Sequence, residues 1–423
     1  MERAIYEQYA AILHEELLPA MGCTEPIAIA YAAAQARELL GGEPESVTVA
    51  VSGNIVKNVK SVVVPHTGGL RGIAAAACAG IVMGDASRRL EVISDADECQ
   101  TLRLKEYLER TPVDVRLAET GHIFDIGVTV RCGGHSAYVR ITDHHTNTVI
   151  KEKDGVRLMT GDLHAPAEET LTDRSCLSIE GICEFADSVC LDDVRDVLER
   201  QIGFNMAIAE EGMRNSYGAN IGKVLLDSSP DTVRVRARAY AAAGSDARMN
   251  GCELPVVIVS GSGNQGITAS VPVVIYAREY GKSHEELLKA LLVSDLVTIH
   301  LKTGIGRLSA YCGAVSAGVG AGAGITYLLG GGAVEISHTV VNAVAIVSGI
   351  ICDGAKASCA AKIAQAVEAG ILGYEMYCRG NEFYGGDGIV AKGVENTIRN
   401  VDRLAHDGMA QTDKEIISIM LGC

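Results

Sequence analysis

The residues most able to do chemistry are the cysteines, 13 of them in a chain of 423. No pair is spaced CxxC, so the usual zinc-finger arrangement is missing. Cys176, Cys183 and Cys190 fall seven apart, with Glu180, Glu184 and Asp187 among them. On a continuous helix seven residues rise about 10.5 Å, so these thiols would line one face without converging. Thiolates among carboxylates would also accumulate negative charge, and the set reads as small buried apolar residues. Cys352 and Cys359 share the spacing but not the context, Cys352-Asp353-Gly354-Ala355-Lys356-Ala357-Ser358-Cys359. Asp-Gly signals a turn, and a broken helix folds two sulfurs back towards one centre. Upstream, Cys312 in Leu308-Ser309-Ala310-Tyr311-Cys312-Gly313 opens a Gly/Ala tract with room for a bulky inorganic group. Three cysteines in small-residue surroundings without close carboxylates suit an iron–sulfur cluster better than zinc, with plain core packing as the alternative. Three ligands for four irons would leave one iron open, a Lewis-acid site rather than an electron carrier.

A second kind of chemistry is suggested by Met21-Gly22-Cys23-Thr24-Glu25-Pro26. Thr24 is a natural N-cap and Pro26 suits a first helical turn. Cys23 then precedes a helix N-terminus, whose positive end favours thiolate over thiol. Such a thiolate would serve as base, nucleophile or ligand; a packed helix-entry cysteine is the structural alternative. Ser260-Gly261-Ser262-Gly263-Asn264-Gln265-Gly266 leads into a helix, and backbone N–H groups at that junction would cradle a carboxylate. It lacks the GK[ST] ending of a nucleotide loop. Pro65-His66-Thr67-Gly68-Gly69-Leu70-Arg71-Gly72 is a similar helix entry, and Asp143-His144-His145 reads as a solvated polar turn.

The elements that must position these residues fall into an α+β pattern. Residues 6–18 and 24–40 read as helices, then strands follow at 46–51, 55–65, 113–117, 123–132 and 136–142, with Gly133-Gly134 as a hairpin turn. A Gly/Ala-rich helix at 70–83 interrupts them. From about residue 192 the pattern turns helical, with candidates at 192–213, 231–249, 267–280, 284–302, 307–329, 334–351, 356–370, 389–406 and 412–421. The expected organisation is a mixed helix/sheet part, 1–185, packed on a mostly helical part, 186–423. Ser52-Gly53-Asn54 echoes Ser262-Gly263-Asn264, too briefly to establish a repeat.

Composition narrows the function. With 37 Lys+Arg against 53 Asp+Glu the net charge is −16, which argues against nucleic acid and anionic membrane surfaces. Residues 308–334 are uncharged, but Gly, Ala and Ser dominate them, so buried helices are expected rather than a membrane span. The N-terminus lacks the apolar stretch of an export signal, so the expected setting is the cytoplasm, with reduced thiols. Assembly into a homo-oligomer is left open.

Together, Met21-Gly22-Cys23-Thr24-Glu25-Pro26, Ser52-Gly53-Asn54-Ile55-Val56-Lys57-Asn58, the 65–72 and 261–266 tracts and Cys352-Asp353-Gly354-Ala355-Lys356 resemble the L-cysteine desulfidase family, which is related to iron–sulfur L-serine dehydratases. The resemblance runs over nearly the whole chain. It implies a [4Fe–4S] cluster on Cys312, Cys352 and Cys359, and Cys23 as catalytic proton acceptor. The implied reaction is α,β-elimination of L-cysteine to pyruvate, ammonia and hydrogen sulfide. Carboxylate recognition is assigned to Ser262, Gly263 and Asn264. In the related serine dehydratases a C-terminal cysteine can cap the open iron, and Cys423 would be delivered likewise by the 412–421 helix. Three alternatives stand beside this reading: an L-serine dehydratase of the same type, a pyridoxal-phosphate lyase, and a non-enzymatic iron or redox sensor. Pyridoxal-phosphate enzymes also use Ser-Gly-Asn loops, but Lys57 follows its Ser-Gly-Asn instead of lying on a separate strand end.

Overall fold

The computed structural model describes residues 1–118, 120–160, 171–306 and 309–422. The first part runs α1 (Arg3–Glu16), β1 (Pro19–Met21), α2 (Thr24–Leu40), β2 (Ser46–Val51), α3 (Gly53–Val59), α4 (Gly72–Met83), α5 (Glu98–Arg110), β3 (Val113–Leu117), β4 (Asp125–Cys132), β5 (His135–Thr142), β6 (Thr148–Lys153) and β7 (Val156–Thr160). Strand order in the sheet is β3-β2-β4-β5-β6-β7, with β2 and β3 parallel and the rest antiparallel. Alternation fixes the register. Val49 pairs with Val128 and Val128 with Val139, so one apolar row crosses three strands. The Ala-rich α2 lies on that row, and its small side chains let the helix approach closely. Gly133-Gly134 turns β4 into β5 with both φ values positive, at 53° and 87°, as a two-residue hairpin requires.

The second part is α6 (Ile179–Ser188), α7 (Arg195–Arg214), α8 (Ile221–Ser228), α9 (Val233–Met249), β8 (Pro255–Val257), α10 (Gly263–Glu279), α11 (His284–Thr303), α12 (Gly313–Leu328), α13 (Ala333–Val347), α14 (Cys359–Cys378), α15 (Val394–Arg403) and α16 (Ala410–Leu421). The α+β expectation holds, a sheet in the N-terminal half and helices beyond it. Two hydrophobic cores result. One joins the sheet to α2, α4 and α5. The other is helical and also takes in α1, whose Tyr9 ring lies 5.3 Å from that of Phe185. A short antiparallel ribbon, β1 on β8 with Pro19 opposite Val257, holds the chain before Cys23 beside the chain before Ser262.

Several elements differ from expectation. Residues 55–65 are not a strand: α3 occupies Gly53–Val59, and Val63 then bridges to Arg71. Ile55, Val56 and Val59 are β-branched, and α3 is buried from Asn54 to Val59, so the run carries no helical stripe to betray it. The sequence reading also missed α5, whose side chains are buried only at Leu104 and Tyr107 behind an Asp97–Gln100 capping box, and the exposed β7. The Gly/Ala tract of α12 does not make room for an inorganic group. A Cβ on Gly318 would meet the Ala366 backbone of α14, and one on Gly320 would meet the Ser294 carbonyl of α11. Its glycines are filled by neighbouring helices. Among the described residues no helix is long and apolar enough to cross a membrane.

Candidate active site

Helix beginnings converge where the two cores meet. A cavity of about 1370 Å³ is lined by Cys23, Ser52, Ser262, Cys312 and Cys359, among others. Cys23 is the N-cap of α2, Ser52 of α3, Ser262 of α10 and Cys312 of α12, while Cys359 is the first residue of α14. None of these five helices has a side-chain hydrogen bond capping its N-terminus. Each leaves backbone N–H groups for something else, and their partial positive charges add towards an anion.

The three cysteines at 312, 352 and 359 all line this cavity. The chain entering α12 and the chain leaving α13 pair as a one-residue bridge, Tyr311 opposite Ile351. The Cys352 N–H donates to the Ala310 carbonyl at 2.6 Å, and the Cys312 N–H to the Ile350 carbonyl at 3.2 Å. Cys312 and Cys352 are thereby brought side by side. The turn at Asp353-Gly354 then returns Cys359, as Asp-Gly suggested. Asp353 pins this turn through Lys356 and Lys362, each 2.5 Å away. Gly354 has φ 96°, and a Cβ there would lie 2.1 Å from the Lys57 carbonyl. The turn therefore stacks directly on α3.

Charge follows the same geometry. The Cys312–Cys352 hydrogen bond holds Cys352 below the ordinary thiol value, and the charges of Lys57 and Lys362 act in the same direction. That hydrogen bond and burial push Cys312 up, and burial raises Cys359. Among the described residues no three His, Cys, Asp or Glu side chains gather tightly enough for a single metal ion. A polynuclear cluster binds each thiolate on a different iron and needs a looser triangle. Two thiols on uncapped helix N-termini, Cys312 and Cys359, and a third, Cys352, with lysine charge behind it fit an anionic iron–sulfur cluster.

Cys23 differs from expectation. The helix N-terminus was expected to favour its thiolate, but burial first and the Glu25 charge second raise this thiol well above its ordinary value. Its Sγ donates to Glu25 Oε2 at 3.2 Å. The buried Glu25 also accepts from Thr24 Oγ1 at 3.0 Å and from Asn58 Nδ2 at 2.9 Å. Burial works against its charge, but His145, Cys23 and Arg248 outweigh it, and the carboxylate lies below its ordinary value.

Ser262 and Asn264 line the cavity, and Gly263 lies behind them against Arg248. The histidines of Asp143-His144-His145 are not solvated: they line the cavity half-buried, His145 edge-on to Phe124 at 4.8 Å. Cys183 is buried and Cys190 exposed, so the 176–190 set does not gather. Cys423 lies outside the described residues. Lys57 is buried and paired with Asp413 of α16. Sequence reasoning missed Arg248, Glu25 as more than a neighbour of Cys23, and His145. Arg248 ends an ordinary amphipathic helix and offered no signal; the burial of Glu25 was implicit in the apolar run that follows it.

The cavity between the two cores of this α+β fold thus collects uncapped helix N-termini and cysteine thiols. The chain belongs to the serine dehydratase alpha-chain family, matching it over residues 87–418, and that family is one of lyase-type enzymes. A UPF0597 protein of Desulfitobacterium hafniense is 58% identical over 417 residues, covering 98% of this chain and 97% of the relative. Similar UPF0597 proteins occur in Lachnoclostridium phytofermentans, 49% identical over 99% of this chain and 100% of the relative, and in Treponema denticola, 45% identical over 100% and 99%.

Proposed function

We propose that the protein catalyses α,β-elimination of L-cysteine to pyruvate, ammonia and hydrogen sulfide. It would use a [4Fe–4S] cluster held by Cys312, Cys352 and Cys359, with Cys23 as proton acceptor. The observation that carries this reading is the meeting of Cys23 and the three-thiol set in one cavity ringed by helix N-termini. When bound, the cluster supplies a Lewis acid that stabilises charge developing as the β-heteroatom leaves.

The chain's own residues do the rest. Cys23 rests as a thiol, so its proton must leave before Sγ can accept one from Cα; Glu25 Oε2, 3.2 Å away, is the nearest acceptor. Asn58 and Thr24 hold that carboxylate in place. After Sγ takes the Cα proton, the proton first passed to Glu25 is available to the departing group. A positioned base contributes about 10²–10⁴-fold. The Ser262–Asn264 helix entry receives the substrate carboxylate.

L-Serine is the second reading, favoured by the match to the serine dehydratase alpha chain. Lys57, the lysine weighed for a pyridoxal-phosphate Schiff base, is buried and paired with Asp413. The test is anaerobic reconstitution with iron and sulfide, followed by sulfide and pyruvate assays on L-cysteine and L-serine. Broad cluster absorbance with pyruvate release is expected, and a Cys352→Ser variant should lose both. Full absorbance without turnover of either amino acid would leave the sensor reading instead.

A further inference from the structure

Arg248, the penultimate residue of α9, is only 3% exposed and lines the cavity beside α10. Its Nη1 donates to Asn264 Oδ1 at 3.2 Å, and its Nε is buried with no partner. Among the described residues no carboxylate hydrogen-bonds this guanidinium, although its charge acts on the buried Glu25 across the cavity; its hydrogen-bond partner there is a neutral amide. A buried guanidinium with an unsatisfied N–H is costly, and that cost is recovered when a ligand supplies an acceptor. The surroundings are cut to the guanidinium: a Cβ on Gly263 would lie 2.4 Å from its Nε. On the same face, α10 presents an N-terminus without a side-chain cap, and the buried Gln265 Oε1 also lacks a partner.

We propose that Arg248 and the N-terminus of α10 together bind the α-carboxylate of the substrate. Arg248 is then the residue that restricts the site to carboxylate-bearing amines. The proposal rests on the elimination reading and gives the Ser262–Asn264 tract its missing charge. A planar fork beside helix N–H donors matches the two oxygens of a carboxylate. Ser and Asn side chains alone would discriminate poorly between an amino acid and its decarboxylated analogue. The guanidinium does so because a ligand without a carboxylate leaves its Nε buried with no hydrogen-bond acceptor.

The test uses the reconstituted full-length protein, with L-serine, L-cysteine, ethanolamine and pyruvate as probes. Arg248→Gln should raise KM about 100-fold while kcat changes less than about tenfold. Wild type should bind L-serine and reject ethanolamine, whereas the variant should bind both equally weakly. Added guanidinium should restore part of the KM of Arg248→Ala, a rescue that a scaffold role would not give. If the Gln variant does not fold, Arg248→Lys keeps the charge but loses the fork and should raise KM about tenfold. A folded Gln or Lys variant with wild-type KM overturns the proposal. If wild type turns over neither amino acid, the elimination reading fails by itself. Calorimetric binding of pyruvate to the iron-free chain then decides for Arg248: binding in wild type that is lost in Arg248→Gln supports it, while binding in both or in neither sinks it.

Discussion

In the proposed elimination Cys23 would meet its substrate with a proton on sulfur. Burial and the adjacent Glu25 carboxylate both raise the thiol, so the thiolate is reached only by handing the proton to a neighbour at close range. In that proposal the base is a pair and not one residue, and the two members should fail differently. Cys23→Ser keeps the volume and the hydrogen bond but loses the more acidic group; kcat should fall by about 10²–10⁴. Glu25→Gln keeps the Asn58 and Thr24 neighbourhood in shape but removes the acceptor, and about 100-fold in kcat should go with little change in KM. In both variants the visible absorbance of the reconstituted cluster should match wild type, since neither residue is assigned as a ligand. Loss of the absorbance in Cys23→Ser with turnover retained would make Cys23 a ligand and place the base elsewhere.

At the scale of elements several site residues, Cys23, Ser262, Cys312 and Cys359 among them, are delivered by turns at helix starts. The sharpest is Cys352–Cys359, where Gly354 lies at φ 96° with no space for a Cβ against the Lys57 carbonyl. Gly354→Ala must open that turn. A loss of about 1–3 kcal/mol in stability is expected, together with fewer irons bound per chain after reconstitution. Gly349→Ala is the control: a Cβ there meets nothing within 4 Å, and the change should stay within about 0.5 kcal/mol. An unchanged iron content in Gly354→Ala would show that the turn does not set ligand geometry. This turn was legible in the sequence because Asp-Gly breaks a helix by local chemistry alone. The entry to α2 was legible to within one residue: Thr24 was expected as the N-cap, but Cys23 takes that place and Thr24 opens the helix. The start of α3 was not, since β-branched residues buried on all sides carry no period. Arg248 was illegible for another reason: a C-terminal helical arginine looks alike whether it faces solvent or a cavity 16 residues away in sequence at Asn264, and only packing tells them apart.

Over the whole molecule the net charge is −16, and the cavity between the cores is mixed: Arg248, Lys302, Lys414 and several helix N-termini share it with Glu25, Asp143 and Asp413. The helical core that backs this site carries a charge problem of its own. Asp295, in the middle of α11, is fully buried. One oxygen accepts from Gln201 Nε2 at 2.8 Å, and the other has no partner. Burial pushes its carboxyl up to about 8, with the Gln201 hydrogen bond opposing. Between the unfolded carboxylate value, about 3.9, and that folded value, the native state holds a proton that the unfolded chain has released. Stability must then fall as pH rises through this window, by about 1.4 kcal/mol per pH unit from this group alone. Asp295→Asn has nearly the same shape and nothing to titrate. Relative to wild type it should gain stability steadily from pH 5 to pH 8, and the gain should level off above that. Urea midpoints for the two proteins across this range measure the difference directly. Parallel pH profiles would mean that Asp295 is ionised in the fold and balanced by a partner other than Gln201.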